Sequence, residues 1–313
     1  MKRLRSAGDS ARRTVPGSAD DEVDAANVAL AKKISSIHAA IKPLGREVLS
    51  DPTTFTPLAF PSPLRVLTER FTVSNEGTLE YFQYMGRSNF EDLWKEIEER
   101  TFIAGSSTLY LYGPSGTGKS HLLAALVYYL VGQGERVFFI PDCRSLVNGA
   151  ERPIRKALLF AFHNDPSRCS KIHRAPEVRD LVQFVKSQPD YSMYIVVDQL
   201  NSLNLDGPND LRSRRKIETL EIIDSLRSLQ RYIFSASANQ QSDRDSDRRQ
   251  SEIKTFYLRA GLNELCPHLF NYFISYPHRT RPAFGSRTIS PHCQCFLPQT
   301  AGSSKTLLGT SPS

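Results

Sequence analysis

The sequence predicts an α/β fold in which a parallel sheet lies between two layers of helices, three layers (αβα) in all, with irregular segments at both ends. Three observations carry this. Runs such as Leu109-Tyr110-Leu111 and Tyr194-Ile195-Val196-Val197 are apolar at consecutive rather than alternate positions, which is the pattern of strands buried on both faces. Helix-spaced stretches alternate with these runs, so successive strands need crossovers and run parallel. Three of the runs end in small or polar residues, at Gly113, at Asp198 and at Ser235-Ala236-Ser237-Ala238-Asn239. The carboxyl ends of parallel strands are where an open α/β sheet takes its ligand.

Taken in order, residues 1–20 read as a flexible tail and residues 21–41 as an accessory helix, with Val23, Ala26, Leu30, Ile34, Ile37 and Ile41 at helical spacing. Residues 42–63 are proline-rich and expected to be irregular. A helix is predicted over 89–100, with Asn89 as its cap and Phe90, Leu93, Trp94 and Ile97 on one face. Strands follow at 108–112, 136–140, 193–197 and 231–236, and helices at 121–131, 153–162, 176–186 and 217–229. In 242–250, Asp243, Asp245 and Asp247 balance Arg244, Arg248 and Arg249, a solvated loop rather than the source of an arginine finger. The expected organisation is a tail with its helix over 1–63, a nucleotide domain over 64–264 and a low-order segment over 265–313.

The chemistry starts at Gly113-Pro114-Ser115-Gly116-Thr117-Gly118-Lys119-Ser120, followed by His121. Glycine tolerates positive φ and lacks a Cβ, so such a loop can aim successive backbone N–H groups at phosphate oxygens. Lys119 adds a point charge for the β and γ phosphates, Ser120 offers a hydroxyl to Mg²⁺, and the helix beginning there turns its positive dipole end to the anion. Residues 113–121 are thus the expected binding segment for ATP or GTP. A carboxylate at a nearby strand end is needed to complete a Mg²⁺ site, and Asp198, closing an unbroken apolar run, supplies it. Lys119, Asp198, Gln199 and Asn239 form the expected catalytic set. Gln199 stands where a glutamate would polarise the attacking water, and an amide can orient water but cannot take its proton. Slow hydrolysis is the expectation. Asp206, Glu218 and Glu221 read as solvated positions rather than as a substitute base. Asn239, ending the 231–236 run, is the candidate γ-phosphate sensor. These features predict a P-loop NTPase of the additional-strand class, with the sensor strand between the loop strand and the Asp198 strand.

The stretches ERFTVSNEGTLEYFQYMGR, LYLYGPSGTGKSHLLAALVYYL, GERVFFIPDC, MYIVVDQLNSL and IFSASAN together resemble the NTPase domain of Crinkler and retrotransposon-hot-spot-type effector proteins. The aspartate followed by glutamine, the strand ending Ile140-Pro141-Asp142-Cys143 and the Ser-Ala-Asn ending carry the resemblance. It implies nucleotide and Mg²⁺ contacts at Gly113, Gly116, Gly118, Lys119, Ser120 and Asp198, with Gln199 and Asn239 near the γ-phosphate. Asp142 and Cys143 match the pattern without an evident chemical role. Members of that family commonly begin with a secretion-associated header, which would allow delivery into a host cell; MKRLRSAGDSARR lacks its motif. LYGPSGTGKSHLLAAL is also similar to bacterial initiator and transposition-helper proteins, which keeps a DNA-loading helper ATPase and a non-hydrolysing nucleotide-gated module open beside the slow hydrolase.

Charge is distributed unevenly. Of 40 Lys+Arg and 33 Asp+Glu, net +7, five basic and one acidic residue fall in 1–13 and four basic and none acidic in 265–313. The remaining span, 31 against 32, is close to neutral, which argues against a broad nucleic-acid surface on the core. Lys2-Arg3-Leu4-Arg5 with Arg12-Arg13 reads either as a two-part nuclear-import signal or as a solvated terminus. Residues 265–313 alternate proline, serine, threonine and isolated aromatics without period, and are expected to be a truncated or frame-shifted remnant in place of a further domain. Five scattered cysteines fit a reducing compartment. Cys266, His268, His292, Cys293 and Cys295 have no zinc-finger spacing. With neither an apolar leader nor a membrane-length apolar run, the chain reads as soluble and intracellular, its protein partner unidentified.

Overall fold

Five parallel strands make the central sheet of the computed structural model, which describes residues 19–64, 71, 73–77, 79–101, 108–114, 116–189, 192–204, 211–226, 231–236 and 253–258. All of these belong to one compact unit, Met1–Cys266. Its strands are β4 (Thr108–Tyr112), β5 (Val137–Ile140), β6 (Tyr194–Val197), β7 (Arg231–Ser235) and β8 (Ile253–Tyr257), in the order β5-β6-β7-β4-β8. Every neighbouring pair is parallel. The sensor strand β7 therefore lies between the loop strand β4 and the Asp198 strand β6, as the sequence predicts. All four residues of β5 and all four of β6 are buried, which requires helices on both faces and gives the expected three layers.

The helices along the chain are α1 (Ala19–Ala40), α2 (Arg46–Ser50), α3 (Ser88–Thr101), α4 (Lys119–Gly132), α5 (Arg144–Val147), α6 (Glu151–Ala161), α7 (Pro166–Arg174), α8 (Val178–Lys186) and α9 (Leu211–Leu226). Helix α7 is absent from the sequence reading although its signals are local: Asp165 accepts the Arg168 N–H as an N-cap and Pro166 takes the first turn. Strand β8 is likewise new. Its five residues, IKTFY, show too little apolar pattern to stand out.

The larger correction concerns the segment ahead of the nucleotide domain. Residues 42–63 are not irregular: they contain α2 and β1 (Phe55–Ala59), and β1 joins β2 (Val73–Glu76) and β3 (Leu79–Met85) in an antiparallel sheet ordered β1-β3-β2. Pro57 sits on the edge strand, where a missing N–H is tolerated. The accessory helix α1 docks into the core through Ile34 and Ile37, with Ile41 just after it also buried there. Asn89 lies within α3 rather than capping it.

Helix α4 explains why the N-terminal elements are needed. Leu122 through Leu130 are all buried, and a helix that is apolar all round must be covered all round. The sheet covers one side. On another, Tyr129 packs edge-on to Phe90 and Trp94 of α3, while the Tyr128 hydroxyl accepts the Lys42 N–H at 3.0 Å. No helix of the described residues is long and apolar enough to cross a membrane.

Candidate nucleotide site

Strand β4 delivers the loop and α4 receives it. Gly116 (φ +83°) and Gly118 (φ +77°) are left-handed, where a side chain costs about 1–2 kcal/mol. Gly113 is required for a different reason: a Cβ there would meet the Leu258 carbonyl at 2.6 Å, just beyond β8. The Thr117 hydroxyl donates to Pro114 O at 2.9 Å and closes the loop on itself. Ser115 lies outside the described residues.

Lys119, 5% exposed, is folded back onto the loop, with its ammonium donating to Gly113 O and Pro114 O at 2.7 Å each. Burial lowers its pKa and the Asp198 carboxylate pulls the other way. The ammonium thus rests on carbonyls at the loop's mouth.

Asp198 follows β6 and is 2% exposed. Its Oδ1 accepts the Gln199 backbone N–H at 2.8 Å and a short hydrogen bond from the Ser235 hydroxyl on β7. Gln199 is left-handed (φ +62°), the one non-glycine residue with positive φ among the described residues, a conformation held by this N–H to carboxylate bond. Its side-chain amide reaches Ser120 Oγ at 3.5 Å. One residue therefore touches both expected oxygen donors, the Asp198 carboxylate through its backbone and the Ser120 hydroxyl through its side chain.

Around this centre the other expected residues take varied places. His121 packs against Phe71, ring centroids 4.6 Å apart, and nearer its edge against Phe82; burial, then the Arg87 charge, lowers its pKa to about 4, so its ring is neutral at pH 7. Asp142 caps the start of α5, accepting the Arg144 N–H at 3.0 Å and pairing with its guanidinium at 2.7 Å. Cys143 donates its N–H to Asp198 O at 3.2 Å, and burial, with Asp198 and Asp142 nearby, pushes its thiol pKa well up. Cys143 thus ties the end of β5 to the residue that follows β6. Glu218 and Glu221 are exposed on α9. Asp206, Asn239, the 242–250 loop and the Cys266–Cys295 group lie outside the described residues; among those described, no cluster of three metal-ligating side chains occurs. A cavity of about 290 Å³ lined by His38, Gly134, Arg136, Phe160 and His163 opens where β5 begins and α4 ends, the amino-terminal end of the sheet, remote from the loop.

Two residues of the site were missed in the sequence. Ser235 carries no signal beyond closing an apolar run, because its role depends on β7 lying beside β6. Arg87, whose guanidinium donates to Thr117 O at 2.5 Å, comes from 30 residues earlier in the chain.

A glycine-rich loop between a central strand and a buried helix, with a buried carboxylate just past the strand two places across, is the arrangement of a P-loop fold of the NTPase type. Comparison with known proteins agrees with that class: the family model described as IstB-like ATP binding protein matches residues 67–152, the span that carries the loop. No curated protein matches the sequence. Among solved structures, the chain is similar to AMPPCP-bound DnaA from Aquifex aeolicus (18% identity, TM-score 0.36, 63% of this chain and 53% of that one). It is also similar to a DNA replication initiation factor (16%, 0.37, 61% and 52%) and to the FIGL-1 AAA domain in complex with ADP (16%, 0.35, 63% and 61%). The chain spans about half the length of the first two.

Proposed function

We propose that this domain binds ATP, or GTP, with Mg²⁺ and hydrolyses it slowly, as a Crinkler-like effector NTPase. The observation that carries the reading is Gln199, fixed beside Asp198 and in reach of Ser120 Oγ at 3.5 Å, where a faster enzyme would place a base. The donors at this spot, a serine hydroxyl and a carboxylate, are the hard oxygens that Mg²⁺ takes. A Mg²⁺ held there would neutralise charge building on the β and γ phosphates.

The chain's own residues account for the rest. Loop amides from Gly116 to Ser120 bind the phosphate tail, and the Lys119 ammonium transfers from Gly113 O and Pro114 O to the β and γ phosphate oxygens. Asp198 holds its Oδ1 on Gln199 N–H and Ser235 O–H, leaving the carboxylate oriented. The Gln199 amide positions the attacking water but does not take its proton, which therefore leaves to solvent or to the phosphate itself.

A second reading, a DNA-loading helper, is compatible with the IstB-like match over residues 67–152. Steady-state phosphate release from ATP and GTP separates the alternatives. Mg²⁺-dependent turnover lost in Lys119→Ala supports the slow hydrolase. Nucleotide binding with turnover equal to Lys119→Ala leaves a nucleotide-gated module, and turnover stimulated by DNA, with steep salt dependence, supports the helper.

A further inference from the structure

We infer that Arg87 is a positioning residue of the phosphate loop, through which the N-terminal antiparallel sheet sets the loop's affinity for nucleotide. The inference rests on the proposed nucleotide site and adds to it a residue from outside the parallel sheet.

Arg87 is anchored before its side chain begins. Its N–H donates to Leu49 O at 2.9 Å and its carbonyl accepts the Phe90 N–H at 2.8 Å, so its backbone joins α2 to the start of α3. The preceding Gly86 donates to Thr54 O at 3.1 Å. A Cβ at Gly86 would lie 2.1 Å from Asp51 O, so only glycine lets β3 approach the end of α2 this closely. The side chain thus leaves from a fixed point.

From there the guanidinium reaches the far side of the loop. Its Nη1 donates to Thr117 O at 2.5 Å, and a Cβ built on Gly118 would fall 2.3–2.6 Å from its terminal atoms, so the guanidinium occupies the space that glycine leaves. The physical consequence follows from peptide geometry. Thr117 C=O and Gly118 N–H belong to one planar trans peptide and point in opposite directions. Holding the carbonyl on Arg87 turns the Gly118 N–H to the opposite side, into the concavity where phosphate binds. A charge-assisted bond is about twice as strong as a neutral one, which suits it to hold a peptide plane that could otherwise rotate.

The sequence distance matters as much as the bond. The bond joins residues 30 positions apart, one at the β3 to α3 junction and one in the loop, so displacement of the antiparallel sheet is transmitted to a phosphate ligand. His121, next to the loop, also packs on Phe71 and Phe82 of the N-terminal region.

The test uses the full chain in four forms: parent, Arg87→Ala, Arg87→Lys and Lys119→Ala. Affinity for Mg·ATP and Mg·ADP is measured with each form shown folded by its unfolding curve, and the Gly118 amide resonance is followed in ¹⁵N-glycine-labelled protein. Arg87→Ala should raise both dissociation constants about tenfold, a change of about 1.4 kcal/mol. It should also abolish the nucleotide-induced shift of the Gly118 amide while other loop glycines still respond. The loss should persist at about 1 M salt, where the Debye length is about 3 Å and a purely attractive charge would be screened. Affinity within twofold of the parent, with Lys119→Ala unable to bind, would overturn the inference and leave the site intact. So would full rescue by Arg87→Lys combined with disappearance of the effect at high salt, which would make Arg87 an attracting charge only. Failure of the parent itself to bind any nucleotide would instead remove the proposed site.

Discussion

Replacing Ser235 by alanine tests whether β7 orients Asp198, the carboxylate just past β6. The Ser235 hydroxyl is fully buried and donates to Asp198 Oδ1, which also accepts the Gln199 N–H at 2.8 Å. Ser235→Ala removes one of these two donors and leaves a carboxylate that is 2% exposed with less compensation. Hydrogen bonds to charged groups contribute about 1.5–3 kcal/mol, and water cannot easily replace this one in so closed a place. For a domain of this size each kcal/mol moves Tm by about 2–4 °C, so a fall of roughly 3–12 °C is expected. Urea and thermal unfolding should be run on Ser235→Ala, Asp198→Ala and the double variant, because only the cycle isolates the pair from the cost of each truncation. A coupling of at least about 1 kcal/mol is expected, along with a rise in the Mg²⁺ concentration that half-saturates nucleotide binding. Coupling within about 0.3 kcal/mol of zero, the level found for independent sites, would show that Ser235 merely fills space.

Two further outcomes follow from the same geometry. Gln199→Glu is nearly isosteric, keeps the backbone N–H on Asp198 and puts a carboxylate within reach of Ser120 Oγ; if the missing base limits turnover, phosphate release should rise by about 10²-fold, and an unchanged rate with intact nucleotide binding would rule that cause out. Acid should weaken the fold through His38 and His121, both lowered to about 4 from 6.5, His38 by burial and then by His163, His121 by burial and then by Arg87. The unfolded chain takes up these protons below pH 6.5 while the folded chain resists until about pH 4, so stability is complete above 6.5 and declines as pH falls through that window. Urea midpoints at pH 7.5, 6 and 5 should drop in that order, less steeply in a His38→Gln, His121→Gln variant; a flat series would contradict the burial of both rings.

What could be read from the chain was what local pattern encodes. The loop glycines, Lys119 and Ser120 are contiguous, and Asp198 closes a run whose unbroken apolar character already implies a central strand. Together with alternating elements these sufficed to place β7 between β4 and β6, but not to find β8 beside β4. The antiparallel sheet stayed hidden because β2, VSNE, has almost no apolar face and β1 contains Pro57, each of which argues against a strand when read alone. Ser235 and Arg87 were invisible for another reason. Their meaning is the identity of a partner, 37 and 30 residues away respectively, and no spacing rule spans such a gap.

The run Leu122 to Leu130 contains only Leu, Ala, Val and Tyr, and a helix lying on a sheet alone would show a solvated stripe. The lack of that stripe demands a second covering surface, and the structure supplies it from α3 through Phe90 and Trp94 and from the α1–α2 connection through Lys42. The elements ahead of the loop are therefore part of the same cooperative core as the loop's own helix. Because α4 begins at Lys119, whatever loosens that cover also loosens the residue proposed to meet the phosphates. The elements from α1 to α3 thus share one core with β4 and α4, and Arg87 is where that shared core touches the loop directly.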